Sequence, residues 1–118
     1  MEFNMSLGKL WFSLSFLFID NDIDYSFIAK EISDYDINTI EFQLFYNVAP
    51  ICSGNLEQTI SPIWSSFDKE ELIKDIQQHA INEKDITWRN KLSANLYKFK
   101  YRKEWEYLKE YLKQNYTN

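Results

Sequence analysis

At 118 residues the chain fits one domain with a core of its own, residues 1–118, and no stretch rich in Pro, Gly or Ser reads as a linker. Hydrophobic residues make up 45% and aromatics 18%, which excludes a disordered acidic chain despite the formal net charge of −5. Residues 1–86 hold fifteen acids against five bases and residues 87–118 hold three against eight, so the two halves either attract one another within the fold or present distinct surfaces.

Two glycines and two prolines supply few of the turn signals an all-β domain needs, and helical spacing accounts for most segments. The expected fold is all-α, a compact bundle of about five to seven helices. The first helix, about Leu7 to Ile19, spaces Leu7, Leu10, Trp11, Leu14, Leu17 and Phe18 at steps of three and four. Phe12, Phe16 and Ile19 make its other side apolar too, as in a central, buried helix. The run Leu10 to Ile19 mimics the apolar region of a signal peptide, but Glu2 precedes it and acids follow. It is also far shorter than the roughly 20 apolar residues a transmembrane helix needs. With Cys52 the only cysteine, an intramolecular disulfide is excluded, and a reducing, cytoplasmic setting away from membranes is expected.

A second helix, about Asp24 to Tyr35, takes Asp22 or Asp24 as its N-cap and carries Phe27, Ile28, Glu31 and Ile32 on neighbouring turns. Asp36 caps a third, with Ile37, Ile40, Leu44 and Val48 in one stripe, which Pro50 should end or kink. Ser53-Gly54-Asn55 is the clearest turn signal, and Leu56 to Ile63 fits a further short helix. Ser66-Phe67-Asp68-Lys69-Glu70-Glu71-Leu72 starts the next, whose apolar face runs through Leu72, Ile73, Ile76 and Ala80. The basic aromatic region, about 86–115, continues at helical steps through Trp88, Leu92, Leu96, Phe99, Tyr101, Trp105, Leu108 and Leu112. Residues 96–102 alternate strictly, a strand pattern, though the flanking periodicity and Glu/Lys pairs favour helix.

Acids cluster at Asp20, Asp22, Asp24, Glu31, Asp34, Asp36 and Glu41, with Lys30 the one base among them. So dense a negative face costs folding free energy by self-repulsion and points to a cation or a basic partner. Counted from Asp20, the acids Asp22, Asp24 and Glu31 and the residue Ser26 match the ligand spacing of an EF-hand calcium loop. Tyr25, however, stands where that loop needs glycine, and Ile28 offers no side-chain oxygen. Catalysis has little to work with: His79 is the only histidine, it and Cys52 lie in different segments, and neither sits in a nucleophile motif. His79 reads as a surface residue and Cys52 as a small packing residue. Zinc would need more His and Cys, and no glycine-rich phosphate loop is present. Neither an enzyme nor a metal or other cofactor is expected. The tail interleaves Arg89, Lys91, Lys98, Lys100, Arg102 and Lys103 with aromatics, the chemistry of single-strand nucleic-acid binders. Aromatics at helical steps are ordinarily core, however, and the overall negative charge opposes nucleic acid.

Trp11-Phe12-Ser13-Leu14-Ser15-Phe16-Leu17-Phe18-Ile19-Asp20, then Val48-Ala49-Pro50 with Asn55-Leu56, and then Trp64-Ser65-Ser66-Phe67-Asp68 with Leu72 and Ile76, follow in order. Together they resemble a family of small uncharacterised bacterial proteins built on W-x-x-L-S-x-L-F-x-D, V-A-P and W-x-x-F-D patterns, over about residues 10–76. The resemblance implies a bacterial, cytoplasmic, mostly helical protein with no catalytic residue to carry over, and points to the immunity partners of toxins. On this reading the chain binds and neutralises a cognate toxin, a basic nuclease being the class an acidic surface suits. The contact residues would be Asp20, Asp22, Asp24, Tyr25, Glu31, Asp34, Asp36 and Glu41, with Tyr25, Tyr35 or Tyr46 as exposed aromatic anchors. A calcium-binding domain using Asp20 to Glu31 and a nucleic-acid-associated protein using the basic tail are the alternatives.

Overall fold

The computed structural model describes residues 5–18, 23–57 and 69–116. Among them the chain is all-α: α1 Met5–Ser15, α2 Tyr25–Ile32, α3 Ile37–Phe42, α4 Ala49–Glu57, α5 Lys69–His79, α6 Trp88–Lys100 and α7 Arg102–Tyr116. A single turn of 3-10 helix, Phe16–Phe18, extends α1, and a π-helical segment, Gln43–Val48, joins α3 to α4 without a break.

The all-round apolar pattern of α1 predicts a central helix, and the structure has one. Leu10, Trp11, Leu14, Leu17 and Phe18 are buried, as are Ser13 and Ser15. Ser15 satisfies its hydroxyl by donating to the carbonyl of Phe12, as a buried hydroxyl must. Around α1 pack α2, the π-helical segment and α5. One continuous core runs from Leu10 to Leu112, with Ile28, Ile32, Ile40, Leu44, Phe45 and Leu108 among its fully buried members.

Asp24 caps α2 as its position predicts, its carboxylate accepting from the Phe27 N–H at 3.0 Å. The helix stops at Ile32, short of Tyr35, where the Tyr35 N–H turns back to the Ile32 carbonyl. Asp36 stands at the start of α3, and its carboxylate accepts from the Thr39 hydroxyl.

Pro50 does not end the third helix. It lies in the first turn of α4, just after the π-helical segment, where the Ala49 N–H reaches back to the Leu44 carbonyl. The wider rungs of a π-helix relax the ladder that a proline, with no N–H of its own, would otherwise break. The expected turn at Ser53-Gly54-Asn55 is likewise absent: these residues are helical in α4, and no described glycine has positive φ. Cys52 and Ser53 are buried there, so packing against the core overrides the local turn signal. Of the short helix expected over Leu56 to Ile63, the first two residues belong to α4 and the others lie outside the described residues. The caps expected at Ser66 and Asp68 lie outside them as well, while Leu72 and Ile76 of α5 enter the core and Ile73 packs against it.

The strand pattern at residues 96–102 is a helix running to Lys100, a break at Tyr101 and a new helix from Arg102. The alternation arises because Tyr97 and Tyr101, one helical turn apart, face inward while Leu96 and Phe99 face solvent. Thr87 starts α6 with a capping box: its hydroxyl accepts from the Asn90 N–H at 3.2 Å and Asn90 Oδ1 accepts from the Thr87 N–H at 3.0 Å. The α7 helix then lays Trp105, Leu108 and Leu112 into the core and packs along α2.

Candidate functional site

Exposed acidic side chains stand at the two ends of α2. Ile28, Ala29 and Ile32 fix the rotation of this helix by burying one face, while Asp24 and Phe27 at its start and Asp34 just beyond its end are exposed. Asp24, Asp34 and Asp36 are exposed. Glu31 is half-buried and pairs with Lys9 on α1 at 3.6 Å, while Glu41 on α3 pairs with Lys98 on α6 at 3.8 Å. The expected acidic face is therefore partly neutralised at Glu31 and Glu41. The exposed carboxylates stand at the two ends of α2, about 12 Å apart along an eight-residue helix. Asp20 and Asp22 lie outside the described residues.

The three rings expected to be exposed, Tyr25, Tyr35 and Tyr46, are half-buried. Tyr35 and Tyr46 pack half-buried against the core. Tyr25 is also half-buried, yet it joins a cluster with Tyr107 and Tyr111 of α7 at centroid distances of 5.5 and 6.3 Å. Both α7 rings are exposed, and Phe27 is 48% exposed on the α2 surface. Tyr107 and Tyr111 sit at the border of the buried Trp105, Leu108 and Leu112 stripe, one helical turn apart. Their spacing is visible in the sequence, but their meeting with Tyr25 depends on α7 returning to α2. Burial first, then the Glu104 carboxylate and Tyr107, raise the Tyr25 phenol above its ordinary value of 10.0. Tyr25 is thus a neutral hydroxyl at physiological pH, and one carboxylate oxygen of Glu104 is buried with no hydrogen-bond partner among the described residues.

The geometry bears on the other chemistries as follows. Residues Tyr25 to Glu31, the second half of the calcium-loop spacing, are helical rather than looped. Among the described residues no three His, Cys, Asp or Glu side chains group as metal ligands. His79 is exposed at the end of α5, 3.1 Å from the Asp75 carbonyl. Cys52 is wholly buried, and burial pushes its thiol up to about 12, which makes it a packing residue and a poor nucleophile. A groove of about 660 Å³ opens between α1 and α5 beside Gly8, Lys9, Lys69, Ile73 and Lys74. No described helix is long and apolar enough to cross a membrane.

The π-helical segment holds a polar network that sequence reasoning missed. Gln43 and Asn47, a turn apart, face inward; Gln43 Oε1 accepts from the Trp11 indole at 2.8 Å and from the Asn47 amide at 2.7 Å. Asn47 Oδ1 accepts from the Ile81 N–H at 2.9 Å, and its amide donates to the Ile81 carbonyl at 3.3 Å. The pair ties α1 and the chain leading into α6 to the centre of the fold.

The tail departs furthest from expectation. Trp88, Leu92, Leu96 and Phe99 of α6, expected in the core, are all exposed, and Ala94 with Tyr97 takes the inner side.

No curated protein and no solved structure matches the chain. A family model described as a domain of unknown function, DUF7079, matches residues 6–111 and so includes most of the basic tail. The chain belongs to that family.

Proposed function

We propose that the protein is an immunity-type binder that neutralises a cognate bacterial toxin, holding it through the outer face of α2 and the tyrosines beside it. The observation that carries this reading is exposed Asp24 at the start of α2, next in sequence to Tyr25, whose ring meets the exposed rings of Tyr107 and Tyr111. Carboxylates around amphipathic rings suit a basic protein surface: the charges steer the encounter, and the rings supply buried contact area with few rotatable bonds. A basic nuclease is the toxin class best matched. The likeness of the Trp11 to Asp20, Val48 to Pro50 and Trp64 to Asp68 motifs to small bacterial proteins supports the bacterial setting.

The test is co-expression and binding with any secreted protein encoded beside this gene. Reversal of Asp24, Asp34 and Asp36 to lysine lowers the association rate about tenfold or more at low ionic strength. Tyr107→Ala with Tyr111→Ala raises the dissociation rate. Protection and association that persist unchanged in the charge-reversed variant remove this surface from consideration.

A further inference from the structure

The α6 helix carries two apolar stripes. The one facing inward is the smaller, Ala94 and Tyr97, while the larger, Trp88, Leu92, Leu96 and Phe99, is left in solvent. Trp88 and Phe99 are 70% and 72% exposed, values foreign to aromatic rings that belong to a core. The stripe spans about 16 Å of helix and repeats at i, i+4, i+8 and i+11, the spacing of a helix that lays an apolar ridge into a groove.

Its flanks carry one sign of charge. No carboxylate occurs in α6, while Arg89 and Lys100 border the stripe on one side, Lys91 borders it on the other, and Arg102 with Lys103 follows its C-terminal end. The Arg89 guanidinium lies 5.4 Å from the Trp88 ring centroid and that of Arg102 lies 5.6 Å from Phe99. From this charge pattern we infer that the outer face of α6 docks into an apolar groove rimmed by carboxylates on another protein.

A second copy of this chain is the poorer occupant, because matching stripes bring Arg89, Lys91 and Lys100 against the same cations. An anionic membrane is opposed by Glu83 and Asp85, exposed in the turn leading into Trp88. Single-stranded nucleic acid is opposed by the aliphatic centre of the stripe: Leu92 and Leu96 offer no ring to stack on, and guanidinium groups already lie over the two aromatic rings. This face is separate from the acidic face of α2, and neither assignment rests on the other.

Calcium-loaded calmodulin, an acidic protein whose opened lobes are methionine-rich apolar grooves, is the probe. The full chain is titrated against it by calorimetry, and in parallel against phosphatidylglycerol vesicles and an oligothymidine strand, with its own association followed by sedimentation. Saturable binding to calmodulin is expected, absent without calcium. It should weaken at least tenfold in Leu92→Ser/Leu96→Ser and again in Arg89→Glu/Lys91→Glu. These side chains are exposed, so both variants keep the parent melting temperature, and that measurement excludes misfolding as the cause of any loss. Absence of calmodulin binding, or binding indifferent to the leucines, overturns the assignment. So does tighter binding to the vesicles or the oligonucleotide, or a dimer that the leucine substitutions dissolve.

Discussion

Asn47 shows what one polar side chain contributes when its partners are a backbone N–H and carbonyl of a distant segment. Its truncation to alanine leaves the Ile81 groups and the Gln43 side chain short of partners in a half-buried site. Stranding buried polar groups costs about 1–3 kcal/mol each, so Asn47→Ala should lower the unfolding free energy by about 2–3 kcal/mol in a urea titration. Cys52 sets a different dependence. Its thiol ordinarily ionises near 9.0 but is held up to about 12 in the fold, so between those values the folded chain binds more protons than the unfolded one. The contribution is whole below about pH 9 and is lost as pH rises towards 12, at about 1.4 kcal/mol per unit. Stability measured from pH 9 to 11 should fall less steeply in Cys52→Ala, with the slope that remains coming from groups such as Tyr25.

At the scale of the element, α6 depends on its capping box because its outer stripe gains nothing from burial. Thr87→Ala removes the hydroxyl that accepts from Asn90 and should cost about 1 kcal/mol, read as a lowered melting temperature and faster amide exchange in the first turn. Elements also show where the sequence speaks and where it is silent. The central role of α1 is legible because apolar residues surround it, and Asp24 is legible as a cap because its own carboxylate bonds three residues on. The inward face of α6 is not legible: by side-chain volume the Trp88, Leu92, Leu96 and Phe99 stripe outweighs Ala94 and Tyr97, yet the smaller pair is the one that faces the core. The Ser53-Gly54-Asn55 signal misleads for a related reason, since turn chemistry is local and the burial of Cys52 and Ser53 is not. The acidic run predicts where a surface lies, but not that Lys9 and Lys98 reach Glu31 and Glu41 or that Tyr107 and Tyr111 arrive beside Tyr25.

For the whole molecule, the radius of gyration of 13.7 Å matches the roughly 13.5 Å typical of a compact chain this long. Closure comes from the last helix. Trp105 meets Phe45 edge-on at 5.9 Å, Leu108 and Leu112 are fully buried, and α7 covers α2. Trp105→Ala should therefore cost about 3–5 kcal/mol in a denaturant titration, a large share of the 5–15 kcal/mol that holds most domains folded. The acidic and basic halves meet at the Glu41 to Lys98 pair, and Arg89, Lys91, Arg102 and Lys103 remain exposed.

The π-helical segment also sets the chain length its helix can tolerate. Gln43–Val48 carries roughly one residue more per turn than an α-helix, so deleting a single residue there would let the rod relax to ordinary pitch. Six π-helical residues sweep about the same angle as five α-helical ones, so the residues beyond the deletion would keep their phase, with Cys52 and Ser53 still towards the core and Pro50 towards solvent. A deletion elsewhere in this rod, where there is no surplus residue to give up, would instead turn everything beyond it by about 100°.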